Sequence, residues 1–194
     1  MTSEEIKKVL QQKRVGIAGA GGLGSNCAVA LARRGIGKLI IADFDVVSEG
    51  NLNRQYYFYD QIGKPKTEAL KENIQRINTS VTVFAHNICL NKDNVPVLFG
   101  DCDVLVEAFD RAEQKEMLIA TMLTLFPEKP LVVGLGMAGW GMFETIHTRK
   151  IDNMYICGDE VSEISSDLPP IAPRVGIVAN MQANLVLEIL LKQK

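Results

Sequence analysis

The sequence predicts an α/β domain built on a mostly parallel sheet with helices on both faces. Two observations carry this. Strand-like apolar runs alternate with helix-like segments almost from end to end, as parallel sheets with crossover helices require. A glycine-dense turn, Gly19 to Gly24, stands between the first apolar run and the helical segment after it. At 194 residues the chain fits one domain, expected to span 1–194.

The elements follow in order. A first helix is expected over Ser3–Gln12, with Thr2 and Glu5 spaced as a capping box. Strand one is Val15–Ala18, then the glycine turn, then a helix over Ser25–Arg34. Strand two, Lys38–Ala42, runs into an acid, Asp43, and a polar loop with aromatics continues to Asp60. The next helix opens near Pro65, since proline suits a first helical turn. Further strands are expected at Val81–Ala85, Val104–Glu107 and Leu131–Val133, with a helix over Ala112–Phe126 between the last two. That gives about five strands, with an antiparallel extension at Phe143–Thr148 left open. Asp159–Pro173 has no periodicity and reads as a flap, and an apolar helix closes the chain over Val175–Leu191.

Composition narrows the function classes. Hydrophobic residues are 47%, charged residues 23% and the formal net charge is −2, which argues against disorder and against bulk attraction to nucleic acid. Any anion site must therefore be local. The N-terminus carries charges from Glu4 on and has no long apolar stretch, so neither a leader nor membrane attachment is expected. Cys27, Cys89, Cys102 and Cys157 form no Cys-x-x-Cys pair, so no zinc site or disulfide framework is readable, which suits a cytoplasmic protein. His86 and His147 have no second ligand at metal spacing and read as scaffold.

Three motifs carry chemistry. Gly19-Ala20-Gly21-Gly22-Leu23-Gly24 follows a strand and opens a helix, where the backbone turns tightly and free N–H groups face an anion. Asp43 follows about 20 residues on, placed to accept from ribose hydroxyls. These two features mark a nucleotide site of Rossmann-like kind, and NAD would serve as well as ATP. The second motif separates them: Asn51 and Arg54, then Gly63-Lys64-Pro65-Lys66 at a helix start, supply cations and amides for a triphosphate. The third is Val104 to Asp110, an apolar strand whose carboxyl end delivers an acid suited to Mg²⁺.

Together with Asp43-Phe44-Asp45, Asn51-Leu52-Asn53-Arg54-Gln55 and the glycine-rich Gly134–Gly141, these motifs resemble the ThiF/MoeB/HesA family, relatives of ubiquitin-activating enzymes. The likeness covers about residues 10 to 150, and its ordered motifs make it more specific than a lone glycine fingerprint. It implies a homodimeric enzyme that uses ATP and Mg²⁺ to adenylate the terminal carboxylate of a small ubiquitin-like sulfur-carrier protein ending in Gly-Gly. By position it implies that Gly19, Gly21, Gly22, Gly24, Asp43, Asp45 and Gln55 bind the nucleotide. Asn51, Arg54 and Lys66 would hold its phosphates, with Arg54, Lys66 and Asp110 catalytic and Asp110 the metal ligand. The chain departs from the family in four places: it lacks the paired cysteines of a structural zinc, its first helix offers lysines but no arginine, Arg111 follows Asp110 where asparagine is usual, and the cysteine-bearing crossover loop is shortened. Its compactness resembles the short members of thiamine thiazole synthesis, which implies a ThiS-like carrier. An NAD(P)-dependent oxidoreductase and a non-catalytic nucleotide-binding scaffold are the competing readings. Cys157 is read as a structural residue in a loop, and the Tyr56–Tyr59 run and Trp140 as packing or carrier surface.

Overall fold

The computed structural model describes residues 1–192. Its helices are α1 (Ser3–Leu10), α2 (Gly22–Arg34), α3 (Lys66–Ile77), α4 (Asn94–Phe99), α5 (Ala112–Leu125) and α6 (Ala172–Lys192). The strands are β1 (Arg14–Ala18), β2 (Lys38–Asp43), β3 (Thr82–Asn87), β4 (Val104–Glu107), β5 (Leu131–Gly134), β6 (His147–Ile151) and β7 (Met154–Gly158). They form one sheet in the order β3-β2-β1-β4-β5-β7-β6, parallel throughout except that β6 runs antiparallel to β7. The expected α/β class, with its antiparallel extension, is borne out.

Burial explains why the central strands read as plain apolar runs. Val15, Ile17, Val104 and Val106 pack with Leu31, Leu70, Ile74, Val178 and Val186 of α2, α3 and α6 on one face. Ala18, Ile40, Leu105 and Val133 pack with Phe99, Leu118 and Met122 of α4 and α5 on the other. Strands covered on both faces have no polar side to alternate. Each fully buried Val, Leu or Ile contributes about 1.5–3 kcal/mol.

The helix ends follow local chemistry. Thr2 accepts from the amide of Glu5 at 3.2 Å and Glu5 accepts from the amide of Thr2 at 2.7 Å, so the capping box forms as expected. Gly35 ends α2 in the left-handed region at φ 91°. Helix α6 has 21 residues and enough apolar character to cross a membrane by length and composition alone. Here Val178, Ala179, Val186 and Leu190 are buried in the core, with the helix lying on α2 and the sheet.

Four expectations are corrected. The sheet has seven strands instead of five, because a hairpin follows β5. The extension lies at His147–Ile151 and Met154–Gly158, whereas Phe143–Thr145 is a 3₁₀ turn. Cys157 is in β7, paired with Gly134 of β5, and not in a loop. It is buried, and desolvation pushes its thiol up to about 12, the opposite of a reactive cysteine. Helix α2 begins at Gly22, three residues before the expected Ser25, so Gly24 is inside it.

Candidate nucleotide site

The chain reverses its winding between β1 and β4, which stand side by side while β1 leads outward to β2 and β4 to β5. Open α/β sheets bind ligands beyond the carboxyl ends of the strands at such a point. A cleft of about 520 Å³ lies there, walled by Gly19, Gly21 and Gly22 below and by Arg54, Gln55 and Lys66 on the α2–α3 side. Phe109, Asp110 and Arg111 close it from the far side, and Ile88 and Leu90 flank it beyond β3.

The glycines have separate jobs. Gly19 sits at φ 99°, and a Cβ there would meet the Ala108 carbonyl oxygen at 2.8 Å. Gly24 does not line the cleft. A Cβ on it would lie 1.9 Å from the carbonyl oxygen of Gly19, so it is glycine because helix and turn touch backbone to backbone. Gly24→Ala is expected to cost at least about 3 kcal/mol, since no flexible side chain can yield. Urea unfolding checks this, and a loss well under 1 kcal/mol on the order of surface substitutions would contradict the close contact.

Asp43 is fixed by its own turn. Its Oδ2 accepts from the Ala20 amide at 2.6 Å and its Oδ1 from the Asp45 amide at 2.8 Å, which ties the end of β2 to the glycine turn. Burial pushes its carboxyl above the usual range, opposed by those two amides and by Lys66. A carboxylate has about four lone-pair sites, so hydroxyls can still be received. Lys66 is buried at the start of α3, and its Nζ lies 2.8 Å from Oδ2 of the half-exposed Asp45. Tyr57, buried, donates its hydroxyl to the carbonyl of Ala20 at 2.6 Å and holds the loop against the turn. Phe58 and Tyr59 of the same aromatic run face outward, as does Trp140.

Arg54 enters the cleft with its Nη1 donating to the Gly50 carbonyl at 3.1 Å and to Asn53 Oδ1 at 2.8 Å. Gln55 is 9% exposed and lines the cleft, yet its Oε1 has no partner among the described residues. A buried amide oxygen left open at a cleft is a contact awaiting a donor. Asn51 is corrected. Its Oδ1 accepts from the Ser48 amide at 3.0 Å, capping the 3₁₀ turn Glu49–Asn51, and it is not among the cleft-lining residues. Asn53, two residues on in the same run, lines the cleft instead. Arg14 heads β1 at the opposite edge of the sheet, 3.8 Å from Asp101.

Asp110 is exposed at the cleft, and its position is set by a residue outside the motif assignments. Glu107 is fully buried, ion-paired with Lys115 of α5, and accepts from the Phe109 amide at 2.8 Å. Lys115 also donates to the Gly134 carbonyl at 2.8 Å. The turn 107–111 is thus pinned between β4, β5 and α5. A second buried pair was equally unsignalled: Arg174 at the start of α6 donates to Asp159 after β7 and to the Gly141 carbonyl, both at 2.5 Å. Asp159 Oδ1 accepts from the amides of Val161 and Ser162 at 3.0 and 2.8 Å. These bonds fold the expected flap, whose Ile164, Pro169 and Pro170 reach the cleft.

A nucleotide fits these walls. A Cβ on Gly21 would meet only Gln55 Nε2, at 3.8 Å, so a side chain there would fill the cleft where a phosphate approaches the backbone. Asp110 fits a magnesium ion arriving with a nucleotide, because Mg²⁺ is commonly held by one or two carboxylates plus phosphates and water. No cluster of three or more His, Cys, Asp or Glu occurs among the described residues, so no all-protein cage is built.

Fold and site therefore define a doubly wound α/β protein with a glycine cradle and a cation-bearing cleft, the class that binds nucleotide phosphates. Within that class the chain belongs to the ThiF family, whose model matches residues 1–194. The resemblance read from its motifs is borne out. It is 30% identical over 195 residues to the adenylyltransferase and sulfurtransferase MOCS3 of Caenorhabditis briggsae, covering 96% of this chain and 48% of that protein. It is 28% identical over 191 residues to the molybdopterin-synthase adenylyltransferase of Salmonella typhimurium, covering 96% and 76%. The chain thus spans about half of the first relative and three quarters of the second. Its fold matches the Escherichia coli tRNA N6-threonylcarbamoyladenosine dehydratase TcdA in complex with ATP, with TM-score 0.83 and 22% identity over 98% of this chain and 92% of that one.

Proposed function

We propose that this chain adenylates the C-terminal carboxylate of a small ubiquitin-like sulfur-carrier protein ending in Gly-Gly, using ATP and Mg²⁺. The observation that carries the reading is that one cleft collects the glycine cradle, Arg54, Gln55, Lys66 and Asp110. A dinucleotide oxidoreductase uses the cradle and Asp43 and leaves the other four without work. The names of the relatives, adenylyltransferases of molybdopterin synthase among them, support the same reading.

The chemistry asks little of the protein. A chain-terminal carboxylate, with a pKa near 3.5 on the order of free termini, is already a nucleophile at neutral pH and needs no general base. One of its oxygens bonds to the α-phosphorus, the bond from that phosphorus to the bridging oxygen breaks, and the electron pair leaves with pyrophosphate. Asp43 receives the ribose hydroxyls, the turn amides and the side-chain N–H of Gln55 orient the phosphates, and Arg54 and Lys66 offset the charge of two anions brought together. Magnesium held at Asp110 would further screen the phosphate oxygens.

In its finer form the proposal is a cytoplasmic homodimer, each chain acting as a single domain, serving a ThiS-like carrier in thiamine thiazole synthesis. The test is ATP–pyrophosphate exchange with a ThiS-like carrier and, separately, with the carrier subunit of molybdopterin synthase. Exchange that requires the ThiS-like carrier and Mg²⁺ is expected. Exchange with the other carrier alone would overturn the thiamine assignment. Bound ATP without exchange would point to a scaffold, and preference for NAD to an oxidoreductase.

A further inference from the structure

The side chain of Arg111 makes none of the bonds described above, yet it lines the cleft, exposed, directly after Asp110. It is the N-cap residue of α5, with φ −97° and ψ 129°, and its side chain makes no capping bond. A cation there opposes the helix dipole, whose N-terminal end favours negative charge. The opposition is not relieved by a neighbour: among the described residues no acid lies within ion-pair distance of Arg111, neither Asp110 before it nor Glu113 in the first turn of α5. Local structure therefore gives no reason for arginine at this position.

The cleft does. Its charged lining residues are Asp43, Asp45 and Asp110 against Arg54, Lys66 and Arg111. Lys66 is already paired with Asp45, and Arg54 has one guanidinium nitrogen committed to Gly50 and Asn53. Without Arg111 three carboxylates would face two cations in a site that must receive a polyanion. Arg54 and Lys66 both stand on the side of the sheet where α2 and α3 pack, whereas Arg111 opens α5 on the opposite side. Among the described residues it is the one cationic residue on that wall of the cleft.

The geometry points to Arg111 as a third phosphate-binding residue, which closes on the polyphosphate of the nucleotide from the α5 wall, opposite Arg54 and Lys66. This rests on the adenylation reading, because it takes ATP as the occupant. A guanidinium free of protein partners can offer its paired N–H groups to two phosphate oxygens at once. The Glu107–Lys115 pair that pins turn 107–111 holds it in place.

The test is calorimetric titration with ATP and with AMP, without carrier, for the wild type, Arg111→Gln, Arg111→Lys and Arg54→Gln. Arg111→Gln is expected to weaken ATP binding about tenfold or more, as loss of a charge-assisted bond does. Its effect on AMP is expected to be smaller, and Arg111→Lys to recover part of the affinity. Its Tm should stay level or rise, since the substitution removes an unfavourable charge from a helix N-terminus. Wild-type affinity for ATP in Arg111→Gln, or a fall in Tm with affinity intact, would overturn the inference while leaving the adenylation reading standing. A wild-type chain that binds no ATP, with Arg54→Gln no different, would overturn the adenylation reading and this inference with it.

Discussion

Replacing Lys66 by methionine is expected to lower ATP–pyrophosphate exchange roughly a hundred- to a thousandfold, as removal of one preorganised charge at a developing anion does. Lys66 is the best desolvated cation of the cleft: its side chain is 7% exposed, while that of its partner Asp45 is 50% exposed. A charge held away from water acts on a phosphate with less screening than a surface lysine. The same asymmetry limits the structural cost. Asp45 keeps its water when the ammonium is gone, so stability should fall by about 1 kcal/mol. Exchange rates and thermal unfolding measured side by side check both halves. Exchange at the wild-type rate, or a chain that no longer folds, would show that Lys66 supports the loop and not the reaction.

Arg174→Met is expected to be the most destabilising polar substitution in the chain, at about 3 to 5 kcal/mol, or roughly 6 to 20 °C in Tm. Both partners of its pair are almost wholly buried, at 4% and 2% exposure, so the change strands the Asp159 carboxylate inside the protein. Gly141, Met142 and Thr145 lose their contacts to the guanidinium at the same time. Burial pushes the Asp159 carboxyl up, but the amides of Ser162 and Val161, the Ser162 hydroxyl and Arg174 outweigh it and hold it down at about 2. A carboxyl whose folded pKa lies below its ordinary 3.8 adds stability that is fully present above that value. That contribution is lost as pH falls from there toward about 2. The wild type should therefore lose stability over this acid window, and Asp159→Asn should show a flatter acid limb. Equal acid limbs in the two proteins would contradict the pairing.

The parts of this molecule that were legible in the sequence are those in which neighbouring residues do the work. The run Val15–Ala18 followed by glycines, and the order Asp43, Arg54, Gln55, Lys66, Asp110, each state a local geometry that the fold then gathers at one sheet edge. Gly24 was legible as part of a pattern, but its reason, contact with the Gly19 carbonyl, was not. The β6–β7 hairpin was hidden because every residue of β6 is exposed, so His147–Ile151 carries no apolar alternation, and β7 is a strand through its pairing with β5 and β6. Helix α4 is six residues with a proline inside, too short to show a period. Asn51 and Asn53 look alike in sequence, and only the 3₁₀ turn between Ser48 and Leu52 decides which one faces the cleft. The pairs Glu107–Lys115 and Arg174–Asp159 join residues from separate elements, and no spacing rule foretells them.

The most direct measurement is a structure of the chain bound to ATP and Mg²⁺. The account places the triphosphate over the amides of Gly21 and Gly22, the ribose on Asp43, and the ammonium of Lys66 and the guanidinium of Arg54 against phosphate oxygens. ATP bound elsewhere, or bound with both of those side chains turned away from it, would contradict the account.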